Sequence, residues 1–129
     1  MRNIELKARL GDLESARRVA SEIATKPGGV QEQVDTYFYC RHGRLKLRQI
    51  DNLSAELISY ARPDRAEAKA SDYQLAPIAN PETLKSALTA ALGVRCVVRK
   101  RREIFLYQNV RIHLDEVAEL GSFLEFEAV

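Results

Sequence analysis

Cysteine is scarce in this chain, and its two occurrences in 129 residues, Cys40 and Cys96, have neither metal-ligand spacing nor the makings of a disulfide framework. Both stand in apolar runs, which predicts buried free thiols in a reducing cytosol. Long apolar runs are also lacking. None approaches the roughly 20 residues needed to span a bilayer, and Met1-Arg2-Asn3-Ile4-Glu5 is no hydrophobic signal segment. The expectation is a cytoplasmic protein without membrane association. A clustered basic face is missing too: 20 basic and 18 acidic residues leave a net charge of +2, which does not argue for nucleic acid. The Gly28-Gly29 pair lacks the context of a phosphate loop, and neither a Walker nor a dinucleotide fingerprint occurs. No Ser-His-Asp or Cys-His arrangement can be read from the spacings, so no catalytic residue is assigned. Repeats, low-complexity tracts and linkers are absent. The length suits a single domain over residues 1–129.

What is present is strict alternation. Asn3, Glu5, Lys7 and Arg9 share one face of a strand, with Ile4, Leu6, Ala8 and Leu10 on the other. Asp12 is placed to cap a helix running to about Thr25, whose Leu13, Ala16, Val19, Ala20 and Ile23 recur at helical spacing. Lys26-Pro27-Gly28-Gly29 reads as its stop. Residues 33–40 and 44–50 flank Arg41-His42-Gly43 as a hairpin, with His42 in the exposed turn. A third strand follows over 56–61. The stretch 62–79, with Pro63, Pro77 and mixed charge, reads as a loop with a short strand near Tyr73-Gln74-Leu75. Asn80, Pro81, Glu82 and a closing Gly93 signal a second helix. Three strands follow, roughly 96–107, 110–115 and 123–129. The order predicts an antiparallel α+β fold.

The charged face repeats from strand to strand: Glu5, Lys7 and Arg9; Arg44, Lys46 and Arg48; Lys100 and Arg102; Arg111, His113 and Asp115; Glu125 and Glu127. An antiparallel sheet with one wet face would show the same period. Two features favour a common site. Neutral Ser, Thr and Gln are nearly absent from these positions, and the acids gather at the two ends of the chain. If the sheet closes, Glu5, Asp115, Glu125 and Glu127 meet, and four carboxylates at close range call for a cation. Oxygen ligands favour a hard ion, Mg²⁺ or Mn²⁺. Basic residues beside it would hold a polyanion, Lys as a point charge and Arg as a planar fork. His113, in register with this face, is a candidate for a substrate contact.

These residues resemble those of CYTH domains, the triphosphate tunnel metalloenzymes that include class IV adenylyl cyclases and thiamine triphosphatases. The family's first-strand Glu-x-Glu-x-Lys reads here as Asn3-x-Glu5-x-Lys7, with an amide in place of the first carboxylate. Asp35-Thr36-Tyr37-Phe38, Gly43-Arg44-Leu45-Lys46-Leu47-Arg48, Ile58-Ser59-Tyr60-Ala61-Arg62-Pro63 and the stretch Val110 to Glu127 resemble the cyclase-like branch. The resemblance implies an eight-stranded antiparallel β-barrel with a polar lumen and flanking helices. It implies metal at Glu5, Asp115, Glu125 and Glu127. Lys7, Lys46, Arg48, Arg62, Lys100 and Arg102 would grip the triphosphate, with Arg9, Arg44, Arg111 and His113 as further candidates. The activity implied is a metal-dependent reaction on ATP, tripolyphosphate or thiamine triphosphate: cyclase-like first, hydrolase second, with a non-catalytic polyphosphate binder as a third reading. A homodimer is compatible with it. Family members usually continue into a further helical segment, whereas this chain stops at Val129.

Overall fold

The computed structural model describes residues 2–61 and 69–128, the side chains of 69–71 aside. Eight strands and two helices follow one another as β1 (Arg2–Leu10), α1 (Leu13–Ile23), β2 (Lys26–Phe38), β3 (Arg44–Ile50), β4 (Ser54–Ala61), β5 (Lys69–Pro77), α2 (Pro81–Leu92), β6 (Val94–Tyr107), β7 (Val110–Val117) and β8 (Gly121–Ala128). All neighbours pair antiparallel, and the sheet closes on itself in the order β1-β5-β4-β3-β2-β6-β7-β8. Closure puts one face of every strand into a lumen and the other outside, so a period-two sequence becomes a two-sided wall.

The apolar side faces outward and is covered in part by the helices. Asp12 caps α1 by accepting from the Ser15 amide at 3.1 Å. Ala20 of α1 then packs on Phe105, Ile112 and Leu114, with Leu13 and Ala16 at the margin. On another part of the wall, Leu84 and Leu88 of α2 pack on Phe38, Leu47 and Ala55. The core therefore lies between barrel and helices. Leu47 is 0% exposed. Its truncation to alanine should cost roughly 2–5 kcal/mol in urea unfolding, and a loss below about 1 would deny it a core position. Phe126 shares the outward face but is 36% exposed, beside Ile4 at 54%, so the outer faces of β1 and β8 contribute less core than alternation suggests.

Several local expectations are corrected. Lys26 to Gly29 do not merely stop α1, which ends at Ile23: they begin β2, paired with β6 through a bulge between Pro27 and Gly29. A Cβ on Gly28 would lie 2.5 Å from Ile104 Cγ2, so the glycine permits close strand approach. Residues 69–77 of the expected loop are a full strand held between β1 and β4, and residues 62–68 lie outside those described. Asn80 precedes α2 without a side-chain capping bond. Cys40 and Cys96 are exposed, Cys40 beyond the end of β2 and Cys96 opposite Tyr37 towards one end of the barrel. Among the described residues, no helix is long and apolar enough to cross a membrane.

Candidate active site

The lumen holds a cavity of about 570 Å³. Following the pairing register around the tilted strands brings Asn3, Arg48, Gln33, Arg102, His113 and Glu127 to one level. Glu5, Lys46, Asp35, Lys100, Asp115 and Glu125 form the next. A single alternation rule thus stacks two rings of polar side chains.

Basic side chains dominate the wall made by β3, β2 and β6. Arg48 donates from Nε and Nη2 to the two Asp35 oxygens at 2.8 Å each. The Lys46 and Lys100 ammonium groups approach Asp35 Oδ2 at 3.5 and 3.7 Å. Asp35 is fully buried, so this one carboxylate serves three cations. Burial raises its pKa, but the Arg48 hydrogen bonds and the surrounding positive charge outweigh that and hold it well below the usual range. Asp115 repeats the arrangement, taking Nε and Nη2 of Arg102 at 2.8 Å each. Each pair lies directly across two neighbouring strands, which fixes the guanidinium planes as bidentate forks. The lysines are less well compensated. Burial and the neighbouring Arg48 charge push Lys46 down to about 7, while burial and Arg102 push Lys100 down to about 8.

The acidic side lies on β1 and β8. Asn3 Nδ2 donates to Glu5 Oε1 at 3.2 Å and to Glu127 Oε2 at 2.8 Å, while the buried Asn3 Oδ1 has no hydrogen-bond partner. Glu127 also meets Arg111 Nη1 at 3.5 Å. Glu125 lies 2.8 Å from His113 Nδ1 and 3.6 Å from Arg102. Burial raises the Glu125 pKa, but His113 and Arg102 bring it well below the carboxylate norm.

The expected group of four carboxylates is therefore divided. Glu5 and Glu127 adjoin through Asn3, Glu125 is taken up by His113 and Arg102, and both oxygens of Asp115 are occupied by Arg102. Among the described residues, no group of three or more His, Cys, Asp or Glu is arranged to hold a metal. The oxygen donors that do converge are Glu5, Glu127 and Asn3. Flipping the Asn3 amide would turn its orphaned oxygen to the point where its nitrogen now bridges the two carboxylates. That set suits a hard divalent ion.

Of the expected phosphate ligands, Lys7, Lys46, Arg48, Lys100 and Arg102 line the cavity, as do Arg111 and His113. Arg62 lies outside the described residues. Arg9 bonds the Leu120 carbonyl and stacks on Phe123, and Arg44 is half-buried beside Tyr60 in register; neither lines the cavity. Sequence reasoning passed over Asp35, Gln33, Tyr37, Tyr60 and Tyr73. The alternation of Gln33, Asp35 and Tyr37 against Val34, Thr36 and Phe38 is the signal that marks the first three.

A chain from Pyrococcus horikoshii superposes with a TM-score of 0.89 at 27% identity, covering 98% of this chain and 78% of that one. An adenylate cyclase candidate from Vibrio parahaemolyticus gives 0.77 at 19% identity, with 98% and 75% covered. A Hippeastrum cyclase candidate, described as having a dominant triphosphatase activity, gives 0.67 at 18% identity, with 98% and 78% covered. The last two likenesses show the fold alone. A search of curated proteins by sequence found no match. The model of the CYTH domain, however, matches residues 1–129, and the whole of this barrel belongs to the CYTH family.

Proposed function

We propose that this chain is a metal-dependent enzyme that acts on triphosphates within its lumen, with an adenylyl cyclase-like reaction as the first reading. One observation carries it. Four cationic side chains, Lys100 and Arg102 buried and Lys46 and Arg48 nearly so, are crowded into one wall of the lumen around Asp35 and Asp115, and burial with the neighbouring arginines pushes Lys46 and Lys100 down to about 7 and about 8. Burying like charges is costly unless a counter-charge arrives. A polyphosphate is such a counter-charge.

Arg48 and Arg102, locked by Asp35 and Asp115, would present fixed donors to phosphoryl oxygens, with Lys46 and Lys100 supplying compact charge between them. Asn3, Glu5 and Glu127 would hold Mg²⁺ or Mn²⁺, which when bound neutralises charge developing on the phosphoryl oxygens. His113 adjoins Glu125 through Nδ1 at 2.8 Å, and in the tautomer that donates there Nε2 would serve as the proton acceptor. In the cyclase reaction the ribose 3′-hydroxyl would give its proton to that Nε2, its oxygen would bond to the α-phosphorus, and the bond from the α-phosphorus to the bridging oxygen would break so that pyrophosphate leaves. The second reading, triphosphatase, is favoured by the activity described for the Hippeastrum relative. There water attacks the terminal phosphorus, the bond to the bridging oxygen breaks, and orthophosphate and the remaining diphosphate are released.

Incubation with ATP, tripolyphosphate or thiamine triphosphate, each with Mg²⁺ or Mn²⁺, separates these. Cyclic AMP with pyrophosphate supports the first reading and orthophosphate the second. Triphosphate binding without product leaves a binding module, and no binding at low salt by a folded sample overturns the proposal. Glu127→Ala should abolish metal-dependent turnover with the fold intact.

A further inference from the structure

We infer that Phe123 is a positioning residue for the bound triphosphate: its ring holds the Lys7 ammonium at the edge of the lumen without cancelling its charge. This rests on the triphosphate reading and deepens it. Phe123 stands on β8 two residues before Glu125 and shares its face. It is the direct cross-strand partner of Arg9, as Glu125 is of Lys7. Lys7 lines the cavity, whereas Phe123 and Arg9 do not. The Lys7 ammonium lies 5.4 Å from the centre of the Phe123 ring, and the Arg9 guanidinium carbon lies 5.4 Å from the same centre. Both fall within the roughly 6 Å over which a ring face attracts a cation. Arg9 in turn donates to the Leu120 carbonyl, in the turn that joins β7 to β8. That turn is tied to β6 by the Ala118 amide, which donates to the Arg99 carbonyl at 2.9 Å. The ring therefore carries one cation that belongs to an anchored turn and one that belongs to the cavity.

Arg48 and Arg102 are fixed differently, by Asp35 and Asp115, each through two hydrogen bonds of 2.8 Å. A carboxylate orients its partner but also neutralises it. A ring face orients an ammonium through its quadrupole and leaves the full charge for a phosphoryl oxygen. Glu125, the carboxylate across from Lys7, is engaged by His113 at 2.8 Å and by Arg102 at 3.6 Å. Lys7 still acts electrostatically on both Glu125 and Lys100, which places its charge near the acidic and the basic sides of the lumen alike. A lysine stem is flexible, and ordering one such side chain on binding weakens affinity by roughly three- to tenfold. Held over Phe123, Lys7 has lost that freedom before the triphosphate arrives.

The test is calorimetric titration of the full chain by tripolyphosphate with Mg²⁺. It compares the parent, Phe123→Leu, Phe123→Tyr, Lys7→Ala and the double variant Lys7→Ala/Phe123→Leu, each checked for folding by urea unfolding. Phe123→Leu is expected to lose roughly three- to tenfold in affinity. Phe123→Tyr, which keeps the ring, should stay within about twofold of the parent. Once Lys7 is alanine, loss of the ring should change affinity by less than about twofold, because the ring acts through Lys7. A loss of equal size in both backgrounds makes Phe123 structural and overturns the inference. So does an unchanged affinity in Phe123→Leu or in Lys7→Ala, although the triphosphate reading then stands. If the folded parent binds no tripolyphosphate at low salt, both fall. Should Phe123→Leu fail to fold, Phe123→Met, which also removes the ring, takes its place in both backgrounds.

Discussion

Asp35→Asn is expected to destabilise the protein by about 3–5 kcal/mol, the usual cost of leaving a buried charge without its partner. The asparagine keeps the shape, so no cavity confuses the result. What is lost is the single carboxylate that faces Arg48, Lys46 and Lys100 from a fully buried position. Urea unfolding of parent and variant gives the difference. Added tripolyphosphate should stabilise the variant more than the parent, because it supplies the missing negative charge to the same cations and is linked to the folded state alone. A cost below about 1 kcal/mol would show that solvent already screens the group. Acid adds a check. The folded pKa of Asp35 lies below the unfolded value of about 3.9, so its stabilisation is present above that pH and vanishes as pH falls through the folded value. The parent should lose this contribution in acid, and Asp35→Asn should not.

Why Asp35 escaped the sequence reading while Arg48 did not is a question of signal. Arg44, Lys46 and Arg48 alternate cleanly with Leu45 and Leu47, and the pleat makes that pattern legible. Asp35 stands in Val34-Asp35-Thr36-Tyr37-Phe38, where aromatic and β-branched neighbours speak for a strand but leave its polar side inconspicuous. Parity alone could place Asp115 on the luminal face. It could not show that Arg102, its cross-strand partner, would take both oxygens, because register between strands is set by closure of the barrel and not by either strand. Pro27-Gly28-Gly29 misled for a different reason. Proline and glycine ordinarily punctuate, but here Gly28 lets β2 approach Ile104 and Gly29, at φ +89°, accommodates a bulge. Likewise β5 carries Pro77 only as its last residue, where no further ladder bond is required, and its pairing comes from β1 and β4. The cysteines show that an apolar stretch of sequence does not guarantee burial when it ends near the edge of a barrel.

Proton uptake on binding is the second large effect expected. Lys46 and Lys100, pushed down to about 7 and about 8 by burial and by the neighbouring arginines, are largely neutral near pH 9. A bound triphosphate stabilises their charged forms, so each lysine should capture a proton as the complex forms. Affinity should then fall as pH rises past about 8, by up to roughly tenfold per pH unit for each lysine that must be recharged. The same shifts act on the unliganded chain in the opposite sense. Its unfolded lysines hold protons up to about 10.4, so between the folded and unfolded values the unfolded state binds more protons and stability rises with pH. Calorimetry in two buffers of different ionisation enthalpy reads the uptake directly. Because the ligand also ionises, the comparison is with Lys46→Arg/Lys100→Arg, whose guanidinium groups stay charged throughout. The difference between parent and double variant at pH 9 isolates the lysines' share. Uptake that is identical in the two would mean that the lysines are already charged before the triphosphate arrives, and would remove the electrostatic reason for assigning this lumen a polyanion.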